Sequence, residues 1–151
     1  MTGQIYHAGL TVSDMDRSIV FYRDVLGLRF LGEILMEGPE TEVLFQRKGC
    51  RARVAYLNGS EAAGMPPVEL IQFLESGIRH QPSDLFATSV SELCFYTDDI
   101  EKAYENLREH RVECLSAPQS FDFTSAGFGR SRAFYFRDPD GIVLEMMQPL
   151  E

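Results

Sequence analysis

The segment FYFRDPDGIVLEMMQ, residues 134–148, places two apolar runs on either side of a reverse turn. Its DPDG residues, 138–141, suit a tight turn, because proline presets the first central φ angle and glycine closes the turn. The segment therefore predicts a β-hairpin. The return strand carries one charged residue, Glu145, between Leu144 and Met146. A carboxylate buried without a partner is costly, so Glu145 is expected to be paired, protonated or bound to a metal ion.

The hairpin closes the second of two similar halves of the chain. Each half opens with an alternating strand, at 5–12 and at 91–97, which leads into a helix whose N-cap is an aspartate. Each half closes on a strand with the order acid, two apolar residues, glutamine, in VELIQ at 68–72 and VLEMMQ at 143–148. A repeat on this scale indicates paired supersecondary units that share one core. The predicted fold class is α+β, with each half reading strand-helix-strand-strand-strand.

The remaining elements are predicted by periodicity and by turn residues. The first helix is predicted to run to Leu26, with Gly27 as a left-handed C-cap. Strands are predicted at 29–36, at 51–57 and around 112–115, residues 118–130 are predicted to form a loop, and 40–48 fits either a short helix or a strand. We expect one domain over 1–151, made of modules at roughly 1–75 and 90–151 that are joined by a polar linker.

Composition and charge limit the function classes. A chain of 151 residues is long enough for one well-filled core. The net charge of −9 argues against nucleic acid and anionic membranes as partners, because both require basic patches. No signal peptide and no membrane span are predicted. Three cysteines with no framework spacing are typical of reduced thiols, so we expect a cytoplasmic protein.

Four polar residues occupy repeated positions in the two modules. His7 and Glu92 lie on the opening strands, and Glu69 and Glu145 lie on the closing strands. Because strand side chains alternate between faces, each opening residue is expected to point away from the face that packs on its helix. If two curved sheets point all four groups into one cup, three carboxylates meet there and repel one another unless a divalent cation is present.

Four segments together resemble the vicinal-oxygen-chelate superfamily, which contains glyoxalases, bleomycin-resistance proteins and extradiol dioxygenases. The resemblance extends over nearly the whole chain. It implies two βαβββ modules that form a curved, cup-shaped mixed sheet with a divalent metal ion, in a homodimer. The segments are HAGLTVSDMDRSIVFYRDVLGLRF at 7–30, VELIQF at 68–73, ELCFYTDDIEKAYENL at 92–107 and FRDPDGIVLEMMQP at 136–149.

The resemblance also implies the ligands. The first histidine of the family falls on His7, and its two acids fall on Glu69 and Glu145. Its second histidine falls on Glu92, which is a departure from the family pattern. Three carboxylates and one imidazole make a hard, anionic site that suits Mn²⁺, Mg²⁺ or Fe²⁺, with Ni²⁺, Co²⁺ and Zn²⁺ also compatible. Glu92 is then a ligand or a catalytic base; the alternative is a solvent-facing acid in a binding protein without metal.

Three further residues are predicted to contact a small-molecule substrate. Tyr96 shares the inward face of its strand with Glu92. Arg130 follows a loop and is suited to anchor an anionic substrate, although an exposed arginine at the rim of the site is an equally good interpretation. Phe128, in that loop, either lines an apolar pocket or pins the loop to the core.

The leading functional hypothesis is a metal-dependent lyase or isomerase of the glyoxalase type. It would remove a proton next to a metal-chelated carbonyl of a small molecule, such as a thiol conjugate or an acyl-CoA, with Glu145 and Glu92 as catalytic residues. One alternative is a non-catalytic binding or resistance protein. A second is an extradiol-type dioxygenase, which the loss of the second histidine disfavours because such enzymes hold iron with two histidines and one carboxylate.

Overall fold

The computed structural model describes residues 5–59, 67–75 and 77–150, which form two compact units, Met1–His80 and Gln81–Glu151. No helix in these ranges is long and apolar enough to cross a membrane. The elements of the first unit are β1 (Ala8–Thr11), α1 (Met15–Val20), β2 (Arg29–Met36), α2 (Pro39–Leu44), β3 (Ala52–Asn58) and β4 (Val68–Phe73). Those of the second unit are β5 (Leu93–Tyr96), α3 (Ile100–Glu109), β6 (Gln119–Asp122), β7 (Arg130–Arg137) and β8 (Val143–Leu150).

The two units have the same strand order. The first sheet is ordered β1-β4-β3-β2 and the second β5-β8-β7-β6. In each, the opening strand runs parallel to the closing strand, and the other neighbours are antiparallel. The predicted α+β class and the repeated βαβββ pattern are therefore confirmed. The prediction that both units belong to a single domain stays a prediction.

Each helix is attached to its sheet through the glutamine that ends the repeated motif. The Gln72 amide accepts a hydrogen bond from the backbone N–H of Met15 and donates one to the carbonyl of Ser13. Gln148 does the same for Ile100 and Asp98. The predicted N-caps are also confirmed, because the side chain of Asp14 accepts from Arg17 N–H and that of Asp99 accepts from Lys102 N–H. Each glutamine therefore satisfies the first backbone N–H of its helix, one of the groups that a helix start leaves free.

The outer strand of the second sheet differs from the prediction. The predicted strand at 112–115 forms a single bridge, between Cys114 and Phe136. Pairing then stops and resumes as β6, where Gln119 lies opposite Ala133, inside the predicted loop. Between these two pairings, the outer segment is two residues longer than the part of β7 that it faces. Pro118 lies in this segment and has no N–H to donate. The β6 sequence QSFD is exposed throughout, so it lacks the apolar alternation that predicts a strand.

The first unit also has two boundaries that differ from the prediction. β1 begins at Ala8 and not at Ile5, so His7 directly precedes the strand. α1 continues as one π-helical turn over Phe21–Val25 before the chain reverses at Gly27, whose φ of 77° confirms the predicted left-handed C-cap. The ambiguous segment forms a short helix, α2.

The DPDG turn forms as predicted and also holds the start of the second unit. Gly141 adopts a φ of 79°, and its N–H donates to the carbonyl of Asp138. The guanidinium of Arg137 donates to the carbonyls of both Gly141 and Ser83. Pro82 and Ser83, within the predicted linker, therefore lie against this turn.

Candidate functional site

Glu69 lies in the middle of the first sheet, between two strands. In the register of β4, Glu69 is opposite Gly9 on β1 and opposite Tyr56 on β3. Residues opposite one another share a face of the sheet, and Gln72, three residues further along β4, points to the other face, where α1 begins. Glu69 therefore projects from the face that does not pack on the helix. It is only 9 % exposed, so its carboxylate requires partners.

The two oxygens of Glu69 contact different residues. The hydroxyl of Tyr56 donates to Oε1 at 2.8 Å. Nε2 of His7 lies 3.3 Å from Oε2. Burial, the hydrogen bond and the charge of Glu69 raise the pKa of Tyr56 to about 12, so this phenol is a stable donor at neutral pH. The structure thus brings together two of the four predicted metal ligands.

Gly9 provides the space that the Glu69 carboxylate occupies. A Cβ atom at this position would lie 3.2 Å from Oε2 of Glu69, which is closer than most real Cβ contacts. Glu69 can lean over β1 towards His7 because no side chain is present there. The lack of a side chain at Gly9 is therefore part of the geometry of the His7–Glu69 pair.

Glu145 occupies the equivalent position in the second sheet, with different neighbours. It is opposite Cys94 on β5 and opposite Tyr135 on β7. Burial, a hydrogen bond with Glu145 and the charges of Glu145 and Glu92 raise the pKa of Cys94 to about 12. Burial, followed by the charges of Glu145 and Glu92, also raises the pKa of Tyr135. Both predicted acids of this module therefore act on the same two groups.

The substrate residues predicted for this module are placed differently. Tyr96 is opposite Met147, two residues beyond Glu145, and so shares its face. Arg130 is opposite Leu150 and lies two residues before Arg132 on β7, so the two arginines share a face of the sheet. Arg132 pairs with Glu101 of α3 at 2.6 Å, so this is the face that packs on the helix. Phe128 lies in the loop before β7 and is 85 % exposed. Of these three residues, only Tyr96 is placed by the strand register on the face of Glu145, and the substrate-binding roles of all three stay predictions.

The side chains of His7 and Glu69 offer two donor atoms to a divalent metal ion. Two ligand atoms about 2.1 Å from one ion, at angles of about 90–110°, lie about 3.0–3.4 Å apart. The His7–Glu69 distance of 3.3 Å has this value, with an imidazole nitrogen and a carboxylate oxygen as the donors. The described residues contain no group of three or more His, Cys, Asp or Glu side chains that could hold a metal ion. The fit thus concerns one pair of ligands, and a shared four-residue site stays a prediction.

Sequence reasoning missed the two tyrosines opposite the acids. Tyr56 and Tyr135 lie on β3 and β7, and each is the cross-strand neighbour of a closing glutamate. A signal was present, because each is the one tyrosine of the strand that precedes the closing strand. Their pairing with the acids depends on the register, which the sequence pattern alone does not determine.

Comparison with known proteins agrees with this architecture. The sequence profile of the Glyoxalase/Bleomycin resistance protein/Dioxygenase superfamily matches residues 4–146. The chain belongs to this superfamily. The resemblance inferred from four segments is thereby confirmed over nearly the full length.

Individual proteins are similar to this chain in sequence or in fold. YaeR of Escherichia coli (strain K12), an uncharacterized protein, is 29 % identical over 145 residues, covering 96 % of this chain and 95 % of its own. A glyoxalase family protein from Bacillus cereus superposes with a TM-score of 0.84 at 19 % identity, covering 100 % of this chain and 97 % of its own. The trypanothione-dependent glyoxalase I of Leishmania major gives 0.68 at 20 % identity, with coverages of 97 % and 87 %. These structures establish a glyoxalase-like fold.

Proposed function

We propose that this chain is a metal-dependent lyase or isomerase of the glyoxalase type, which removes a proton from the carbon next to a carbonyl of a small molecule. The observation that carries the proposal is the pair formed by His7 and Glu69, whose donor atoms lie at the spacing of two ligands of one ion. The repeat supports Glu145 and Glu92 as the other two ligands, because they occupy the equivalent positions in the second sheet.

A divalent ion held by these residues would act as a Lewis acid on the substrate carbonyl and so acidify the neighbouring C–H. Mn²⁺, Mg²⁺, Fe²⁺, Ni²⁺, Co²⁺ and Zn²⁺ all remain compatible with one imidazole and three carboxylates. The residues of the chain have separate tasks. His7 and Glu69 supply metal-binding atoms in fixed positions, and a carboxylate of the second sheet accepts the proton of the substrate.

Glu145 is the best-supported base. Glu69 is held on both sides, by the Tyr56 hydroxyl and by His7, and it is nearly buried. The neighbour of Glu145 on β5 is instead the thiol of Cys94, and a thiol donates only weakly. A carboxylate with weaker restraints can move towards the substrate proton at lower cost. Glu92 then serves as a ligand or assists as a second base.

A binding protein without catalysis is the second candidate, and one observation favours it. The rings of Phe121 and Phe123 stack at 5.8 Å and are 41 % and 50 % exposed. Phe121 is opposite Ser131 on β7, so it shares the face of Tyr135 and Glu145. Exposed aromatic rings on this face are suited to hold an apolar compound.

Metal content and proton exchange test these two functions. Protein purified without chelator is expected to retain about one divalent ion per chain, or to take up Mn²⁺ when it is added. In D₂O, the loaded protein should exchange the α-proton of an α-hydroxy carbonyl compound, and NMR follows the loss of that signal. Glu69→Gln should reduce metal content, whereas Glu145→Gln should lose exchange more completely than metal.

Glu101→Gln is the matched control, because Glu101 is an exposed acid on α3 that pairs with Arg132. It should leave both readouts unchanged. Absence of stoichiometric metal after Mn²⁺ addition would contradict the enzyme proposal and favour the binding protein. The homodimer and the cytoplasmic location also stay proposals. Light scattering of the purified chain tests the homodimer, and fractionation of the cells that make the protein tests its location.

A further inference from the structure

The Glu69 carboxylate is divided between two neighbouring strands. β4 lies between β1 and β3 in the sheet. Oε1 accepts the hydroxyl of Tyr56 over β3, and Oε2 faces Nε2 of His7 beside β1. The two oxygens of one carboxylate therefore have different partners on opposite sides of the strand.

We infer that Tyr56 is a positioning residue that makes Glu69 a one-oxygen metal ligand. This inference rests on the proposed function. The phenol occupies Oε1, so only Oε2 is directed, together with Nε2 of His7, at the place where an ion would lie. A carboxylate that binds an ion with both oxygens must turn both towards it, and the hydrogen bond from Tyr56 opposes that rotation.

The space above Gly9 supports the same assignment. Oε2 lies where a Cβ of residue 9 would approach to 3.2 Å, so this oxygen leans fully towards β1. A hydrogen bond that only satisfied a buried acid would require a donor, but not a vacant position beside the second oxygen. With a hydrogen-bond donor on one side and a glycine on the other, the fold maintains one orientation of the Glu69 carboxylate.

The second sheet offers a matched comparison. Tyr135 is opposite Glu145 as Tyr56 is opposite Glu69. In that sheet the charge of Glu145 acts on Tyr135, and Cys94 is the other cross-strand neighbour of Glu145. Removing the Tyr135 hydroxyl therefore deletes a phenol next to an equivalent acid without deleting the hydrogen bond that orients Glu69.

The test is titration of Tyr56→Phe and wild-type protein with Mn²⁺ and with Ca²⁺ by calorimetry. Loss of an outer partner of a ligand typically weakens metal binding about 10- to 100-fold, and we expect a loss in this range for Mn²⁺. Ca²⁺ is larger and accepts carboxylates through both oxygens, so its affinity should change less than about threefold. The preference for Mn²⁺ over Ca²⁺ should therefore fall at least about threefold.

Tyr135→Phe is expected to leave this preference unchanged, and circular dichroism confirms that both variants are folded. Equal losses for Mn²⁺ and Ca²⁺ in Tyr56→Phe would indicate a purely structural role and overturn the inference. An equal shift in Tyr135→Phe, or unchanged Mn²⁺ binding in Tyr56→Phe, would also overturn it. Failure of the wild-type protein to bind Mn²⁺ would overturn the proposed function and this inference together.

Discussion

The two sheets place a glutamate at the same register position but surround it differently. Glu69 has a glycine on one side and a hydrogen-bonded tyrosine on the other, whereas Glu145 has a cysteine and a tyrosine without that hydrogen bond. The opening residue is an imidazole in one unit and a carboxylate in the other. A repeated backbone thus carries one restrained acid and one less restrained acid. Under the proposed function, this difference would give the modules separate tasks, with the first binding the metal ion and the second accepting the proton.

The largest expected effect concerns the thiol beside Glu145. With a pKa of about 12, Cys94 has far less thiolate at pH 8 than an ordinary cysteine with a pKa of about 8.5. A more basic thiolate is also more nucleophilic, which recovers part of the loss and leaves alkylation about 100-fold slower. Mass spectrometry of the metal-free protein after timed iodoacetamide treatment measures this rate.

The pH dependence of the alkylation rate tests whether the pKa of Cys94 is raised. The alkylation rate of Cys94 should keep rising as the pH increases beyond 10, because the folded protein retains the proton there. Glu145→Gln should speed the reaction at pH 8, since it removes one charge that raises the pKa. A rate that levels off near pH 9 in the wild-type protein would show that the two acids do not act on this thiol.

The second effect comes from exchanging the residues beside the acids. Gly9→Cys places a Cβ about where Oε2 of Glu69 leans towards His7, so Glu69 must move away. We expect Mn²⁺ affinity to fall about tenfold, the lower end of losses on disturbing a ligand's surroundings. Cys94→Gly removes a weak donor and should change affinity less than about threefold. Calorimetric titration measures both, and similar losses would break the proposed division between the sheets.

The smallest effect concerns a feature that the sheets share. Gln72→Ala removes two hydrogen bonds at the start of α1, and Gln148→Ala removes two at the start of α3. Each should lower the free energy of unfolding by roughly 1–3 kcal/mol, at a net value of about 0.5–1.5 kcal/mol per hydrogen bond. Urea denaturation measures the loss, with the exposed Gln81→Ala as control. A cost confined to one variant would show that only one helix depends on its glutamine.

Much of the fold was predictable because local residue preferences determine where its helices and turns begin and end. The N-cap aspartates, Gly27 and the DPDG turn each follow from one residue's conformational preference, and each formed as predicted. β6 was not predictable, since QSFD has no apolar alternation and its pairing is provided by β7. The π-helical turn after α1 has no sequence signature that we can identify.

The candidate site was predictable in its residues but not in its contacts. The repeated order of acid, two apolar residues and glutamine placed Glu69 and Glu145 at equivalent positions of their own sheets, and the strand register agrees. The roles of Tyr56 and Gly9 depend on which residues lie opposite Glu69, and the sequence does not encode that register locally. The register also places Arg130 on the same face of β7 as Arg132, which pairs with α3, and its predicted role in substrate binding stays a prediction.

The three-residue spacing between acid and glutamine has a consequence for how such a protein can change. Because strand neighbours alternate, Glu69 and Gln72 project from opposite faces of β4, and so do Glu145 and Gln148 of β8. Substitutions beside the acids can therefore alter the chemistry without loosening the helix on the reverse side. A duplicated module built in this way can acquire new substrates while its architecture is inherited intact.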